Sequence, residues 1–92
     1  MNDLCMTIFG RVQGVYFRKS TQEQARERNI TGWVRNRKDG TVEVLAQGTE
    51  DSLLSLLQWC EKGPRLAKVQ RIDIDWITTG EKHSSFEITP TC

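Results

Sequence analysis

Residues 10–18 read GRVQGVYFR, and their types and spacing suit the capture of an anion. Two glycines four apart follow an apolar run over residues 4–9, and Arg18 stands at the head of a helix-forming stretch. Glycine lets the main chain turn sharply and approach a ligand closely, because no Cβ intervenes. Successive N–H groups in such a turn make a concavity that holds an anion, and a helix N-terminus adds the positive end of its dipole. Arg18 would bring a planar, permanently charged fork to the same anion. The chemistry on offer is a phosphate cradle.

The elements that must carry this loop follow from hydrophobic periodicity. Residues 4–9, with Thr7 and Ile8 β-branched and a glycine behind them, predict a buried strand. Residues 18–29 are rich in Gln, Glu, Arg and Ala and predict a helix, with Phe17, Thr21 and Ala25 recurring every four residues. Asn29 is suited to the left-handed turn that ends it. Residues 30–36 and 41–47 predict two strands joined by Arg37-Lys38-Asp39-Gly40, since Asp-Gly between apolar runs marks a hairpin. Thr49 is the expected N-cap of a second helix, followed by Glu50 and Asp51 in its first turn. Leu53, Leu56, Leu57 and Cys60 then recur at helical spacing, and Gly63-Pro64 ends the helix.

Val69, Ile72, Ile74 and Trp76 predict a further strand whose change of parity signals a bulge or an irregular start. Residues 85–89, with Phe86 and Ile88 on one face, predict the last. These elements contain the order βαββαβ, that of an α+β, ferredoxin-like sandwich with two helices on one face of a mainly antiparallel sheet. That architecture hosts many functions, so the function must be argued from the site.

Length and composition bound the possibilities. The chain has 92 residues, 37% of them hydrophobic, which predicts one domain over residues 1–92 and a single core. No apolar run approaches a membrane span, and the first residues carry no secretory pattern. Cys5, Cys60 and Cys92 are odd in number and widely spaced, which argues for a reduced, cytoplasmic setting. They share no metal-ligand spacing with His83, so neither a metal nor a cofactor is expected. The net charge is +1 but unevenly spread. Residues 10–38 hold eight cations (Arg11, Arg18, Lys19, Arg26, Arg28, Arg35, Arg37, Lys38) against Glu23 and Glu27, leaving +6 there and −5 in the remainder. This asymmetry suits attraction of a small anion to one side of the molecule, or solvated surface charge.

Two motifs together resemble the acylphosphatase family. The segment from Gly10 to Arg18 matches that family's G-x-V-Q-G-V-x-F-R loop throughout. Gly32-Trp33-Val34-Arg35-Asn36, followed by Gly40, Val42 and Gly48, matches its second pattern, G-(aromatic)-V-x-N-x₃-G-x-V-x₅-G. Gly63-Pro64 and Phe86 fall where similar sequences place them, so the likeness spans nearly the whole chain. Arg28 and Asn29 depart from the leucine and glycine common at those positions, a change at the helix end rather than in the loop. The Thr89-Pro90-Thr91-Cys92 tail lacks the charged or aromatic terminus of many relatives, so nothing in the sequence assures a supporting contact from it.

The resemblance implies hydrolysis of the carboxyl-phosphate bond of small acyl phosphates, without a metal. It implies that the loop amides of Gln13, Gly14, Val15, Tyr16, Phe17 and Arg18, with the Arg18 guanidinium, bind the phosphoryl group. It also implies that Asn36 positions the attacking water. The residues suit those roles. A carboxylate leaves readily, so the remaining task is to hold phosphoryl oxygens and aim a water in line. An asparagine amide donates and accepts without bringing negative charge near phosphate. No carboxylate or histidine lies within either motif, so a phosphoryl oxygen of the substrate is the expected proton acceptor.

Blander roles stand beside these. Arg18 would instead pair with Glu23 or stay in solvent, Asn36 would cap the hairpin, and the Tyr16 ring would either wall the pocket or lie on the surface. Trp33, Trp59 and Trp76 fit core or core-edge positions better than ligand platforms, and His83 is expected to be exposed. The alternative function is a phosphate- or RNA-binding module without catalysis. RNA readers of this shape carry the sheet pattern (K/R)-G-(F/Y)-(G/A)-F-V-x-(F/Y), which is absent, and the near-neutral charge weakens a polyanion partner. The expected partner is therefore a small acyl phosphate, with no nucleic acid, no membrane and a monomeric state.

Overall fold

Alternating apolar residues build the sheet. The computed structural model describes residues 3–92. In it β1 (Asp3–Arg11) buries Leu4, Met6 and Ile8 completely on one face. After the loop comes α1 (Phe17–Glu27), then the hairpin of β2 (Thr31–Asn36) and β3 (Val42–Gln47). The second helix, α2 (Glu50–Lys62), leads into β4 (Lys68–Ile77) and the short β5 (Phe86–Ile88). The sheet order is β4-β1-β3-β2-β5. All pairings are antiparallel except β2 with β5. The expected ferredoxin-like sandwich is present, with β5 extending the sheet at its edge.

Both helices cover the face that carries Leu4, Met6, Ile8, Val34, Val42 and Val44. The first packs over β2, β3 and β5, and the second over β4. Phe17 at the start of α1 meets Trp59 of α2 at 5.8 Å between ring centroids. Burying a side chain as large as Phe17 stabilises by about 1.5–3 kcal/mol, and here it also fixes where the helix begins. Gln22 donates to the Phe86 carbonyl at 3.0 Å, tying α1 to the last strand.

Local signals are met closely. Asn29 has φ 56 just beyond α1, and the Thr49 hydroxyl accepts from the Ser52 amide at 3.2 Å. In the hairpin Asp39 accepts from the Thr41 hydroxyl and amide, and these bonds hold its carboxyl below the ordinary range. The three thiols are free, and burial pushes that of Cys60 up to about 12. No helix among the described residues is long and apolar enough to cross a membrane.

Two expectations need correction. Trp76 lies on an outer strand and is 40% exposed rather than packed at the core, because no element flanks β4 on its far side. His83 is half-buried, and its Nε2 is buried without a hydrogen bond, 3.9 Å from Glu81. The loop that holds it folds back onto the sheet end, where the His83 amide donates to Gln47 at 2.9 Å.

The parity change along β4 is a bulge. Phe9 pairs with Arg71 while Gly10 pairs with Val69, leaving Gln70 as the extra residue. Gly10 lies at φ +128, and a Cβ there would overlap the Lys68 carbonyl oxygen and come within 2.9 Å of the Gln70 amide. The bulge therefore depends on a residue without a side chain at the point where β1 enters the loop. Gly10→Ala should lose about 2 kcal/mol of stability. For a domain of this size that lowers the melting temperature by roughly 8–16 °C. An unchanged thermal melt would show that the close approach is not real.

Candidate active site

The loop is pinned by its own apolar residues. Val12, Val15 and Phe17 are buried in the core, so the main chain between them is held from beneath while Gly14 and Tyr16 face outward. Gly14 has φ 75 with nothing near the place a Cβ would occupy, and Tyr16 has φ 65 and is 80% exposed. Two left-handed residues separated by one make the chain coil back on itself, the geometry that turns successive N–H groups to one side.

Those N–H groups are uncommitted. The first hydrogen bond of α1 runs from the Ser20 amide to the Tyr16 carbonyl at 3.0 Å. Among the described residues, no backbone N–H from position 13 to 19 finds an acceptor within the chain. Tyr16 provides no side-chain cap, and the first turn of α1 holds no acidic residue. The other helix, α2, shows the contrast: Thr49 caps it, and Glu50 and Asp51 sit in its first turn. Of the two, only the helix that follows the glycine loop starts without a side-chain cap and with its dipole end unneutralised.

Arg18 is half-buried and has no ion pair or hydrogen bond among the described residues; the pairing with Glu23 is absent. Several other cations of the basic segment are engaged. Arg26 pairs with Glu87, Arg35 with Glu43 and Arg37 with Asp39, while Arg28 bonds Gln24 and Ser55. Much of the charge asymmetry is thus structural or surface charge, and Arg18 is left available.

Asn36 closes β2, opposite Val42. Its Oδ1 is buried with no hydrogen-bond partner, whereas a side chain that capped the hairpin would be bonded. A side-chain acceptor left bare in a folded protein calls for an explanation, such as a water or ligand. The strand end is braced from outside by the tail: Thr89 donates to the Val34 carbonyl, Cys92 to that of Asn36, and Lys38 to that of Cys92. The support is main-chain hydrogen bonding and needs no charged or aromatic terminus.

These parts meet because β1 and β2 run in the same direction, each antiparallel to β3, and so end at one edge. A cavity of about 380 Å³ there brings Gly14, Tyr16 and Arg18 together with Asn36 and Ile88, with Val12 and Lys19 completing its lining. Tyr16 is part of the wall while remaining largely exposed. Of the expected site residues, Gln13, Val15 and Phe17 are not among those that line the cavity. Val15 and Phe17 face the core, and the Gln13 amide is bonded to the hairpin. Their main-chain N–H groups find no acceptor among the described residues.

Lys19 and Ile88 were not anticipated. Lys19 follows Arg18 in the basic segment, a signal that was visible. Ile88 arrives only through the parallel pairing of β5 with β2, which no local pattern announces. A larger cavity, about 500 Å³, lies at the opposite end of the sheet between Gln47 and residues 78–83. There Asp3 accepts from Gln47 and Thr79, and Gln47 also donates to the Glu81 carbonyl. It lacks the loop amides and the arginine that make the smaller cavity suited to phosphate. Among the described residues no three His, Cys, Asp or Glu side chains are grouped to hold a metal ion.

Comparison with known proteins bears on the whole chain. The family model described as Acylphosphatase matches residues 4–88. The acylphosphatase of Thiobacillus denitrificans is 47% identical over 87 residues, 95% of this chain and 96% of its own length. The crystal structure of acylphosphatase from Bacillus subtilis aligns with a TM-score of 0.93 at 39% identity, covering 97% of this chain and 99% of that one. An acylphosphatase structure from Coxiella burnetii gives 0.91 at 38% identity, over 96% and 92% of the two chains. With sequence and fold in agreement almost from end to end, this chain belongs to the acylphosphatase family and is, by that membership, a hydrolase.

Proposed function

We propose that this chain hydrolyses acyl phosphates to a carboxylate and inorganic phosphate, using its own donors and no metal. The observation that carries the proposal is one cavity that Gly14 and Tyr16 of the open loop share with an unpaired Arg18 and with Asn36, whose Oδ1 is bare. The amides of residues 13–18 and the Arg18 guanidinium hold the phosphoryl oxygens. Donors fixed before the substrate arrives stabilise charge that develops in the transition state without reorganising at that moment.

Asn36 Oδ1 accepts a hydrogen bond from a water and sets its oxygen in line with the bond to be broken. That oxygen attacks phosphorus, the bond from phosphorus to the acyl oxygen breaks, and the carboxylate departs with the electron pair. The cavity lining contains no carboxylate or histidine, so the water's proton passes to a phosphoryl oxygen of the substrate. A carboxylate needs no proton to leave, which is why neither a general acid nor a metal is called upon. Tyr16 and Ile88 give the wall an apolar component beside the cations, where the acyl group would lie.

The non-catalytic alternative draws little support. A stacking platform for RNA needs bare ring faces, but Arg35 lies over the Trp33 ring at 4.4 Å and Arg71 over Phe9 at 4.0 Å.

The direct test follows benzoyl phosphate by absorbance with the purified protein and a chelator present. Turnover should be unchanged by the chelator, and inorganic phosphate should inhibit competitively as the product that fits the same cradle. Loss of activity on chelation would overturn the metal-free mechanism. Arg18→Ala should lower kcat/KM by about 1,000-fold or more and abolish phosphate inhibition. Asn36→Ala should lower kcat by about 100- to 1,000-fold while leaving phosphate inhibition nearly intact. A folded Arg18→Ala protein with full turnover would remove that side chain from the mechanism.

A further inference from the structure

The side chain of Gln13 lies within the loop that holds phosphate, yet it turns away from the cavity. Its Nε2 donates to the Arg37 carbonyl at 2.8 Å and to the Thr41 carbonyl at 2.9 Å. Both acceptors are main-chain oxygens, so only the nitrogen of the amide can face them, and both of its hydrogens are used. Arg37 directly follows Asn36, and Thr41 directly precedes β3. The Arg37 amide donates in turn to the Thr41 carbonyl at 2.9 Å. One amide therefore grips both sides of the hairpin base, 24 and 28 residues away from itself.

We infer that Gln13 is a positioning residue: it couples the phosphate loop to the hairpin that carries Asn36, so that cradle and water keep a fixed separation. The inference rests on the role given to Asn36 above. Beyond the grip, Lys38, Asp39 and Gly40 are exposed, and the turn is closed by Asp39 and Thr41 themselves. The tail braces the same strand end from its outer side, through Cys92. Gln13 is the brace that comes from the loop itself. In-line attack tolerates little error, since a misplacement of about 1 Å can cost about 100-fold in rate. Without the grip each partner keeps its own chemistry and loses its distance to the other.

The test compares Gln13→Glu and Gln13→Ala with Asn36→Ala and the double variant Q13E/N36A, assayed with benzoyl phosphate and with inorganic phosphate as inhibitor. Gln13→Glu sets a carboxylate against two carbonyl oxygens, so kcat at neutral pH should fall about 100-fold. Phosphate inhibition should change by no more than about threefold, because the loop amides and Arg18 remain. Protonation restores one donor, so the kcat of Gln13→Glu relative to the unaltered protein should rise as pH falls through the carboxyl range. In the Asn36→Ala background the same substitution should leave kcat within about twofold, as expected of residues acting as one unit. Losses that multiply independently in the double variant would refute coupling through Asn36, as would a folded Gln13→Glu protein with full kcat.

A readout independent of activity separates this inference from the function on which it rests. Amide hydrogen exchange at Arg37, measured by NMR, should accelerate about tenfold or more in Gln13→Ala as the hairpin base opens more readily. Unchanged exchange there would sink the grip. Failure of the unaltered protein to turn over benzoyl phosphate, with the exchange effect present, would instead overturn the catalytic reading and with it the coupling to a bound water.

Discussion

Seven consecutive N–H groups without an acceptor in the chain are the feature to which the other parts of this molecule answer. An amide left bare costs free energy unless water or a ligand satisfies it. A flexible loop would relieve that cost by bending its donors onto nearby carbonyls. Here the core prevents such relief. Val12, Val15 and Phe17 are drawn into the apolar interior, and what they anchor is the main chain that must stay open. Hydrophobic burial, which is non-directional, thus holds a directional array of dipoles in place. An oxyanion is the natural acceptor for such an array, because it can take several N–H bonds at once.

The proposed mechanism also needs a water set beside the cradle, and the sheet has an arrangement that suits it. A loop and a strand end from distant parts of the chain can share an edge only if the two strands run in the same direction. The split arrangement does this by placing β3 between β1 and β2. It brings Gly14 and Asn36 into one cavity from positions 22 residues apart. The bulge at Gln70 and the close approach at Gly10 then shape the exit of β1, and the tail steadies the exit of β2. Rigid mounts suit a reaction in which little beyond position and charge is asked of the protein.

Local signals in the sequence are legible because their physics is local. Asn29, Thr49 and the Asp39-Gly40 turn act within a few residues, and the parity break after Val69 is the bulge seen from one strand. Gly10, Gly14 and Arg18 were legible for the same reason, since loop, helix start and cation are contiguous. What escaped notice depends on pairings across the chain. Ile88 reaches the cavity through a parallel pairing with β2, and the support for Asn36 comes from tail amides whose side chains gave no hint of it. The grip of the Gln13 side chain on the hairpin base links residues 24 and 28 positions apart. His83, in a polar stretch, was expected to be exposed, but Gln47 draws that loop against the sheet end.

The contrast between the two helices shows why the open start of α1 is a compromise rather than an oversight. Thr49 shows that the chain can supply a side-chain cap where one serves stability. A side-chain oxygen at position 16, on the extended backbone that Thr49 adopts, would satisfy an amide of the first turn and stabilise the helix by about 1 kcal/mol. It would also place an acceptor in the space that the proposed mechanism gives to a phosphoryl oxygen, so the same donor would have to be released before substrate could bind. An acidic cap would add repulsion. Tyr16 has neither defect: its ring offers no acceptor near the amides, and its left-handed backbone keeps them turned outward. The strain of that conformation is accepted in a non-glycine residue at the one helix start where, in the proposed mechanism, a cap would obstruct the chemistry.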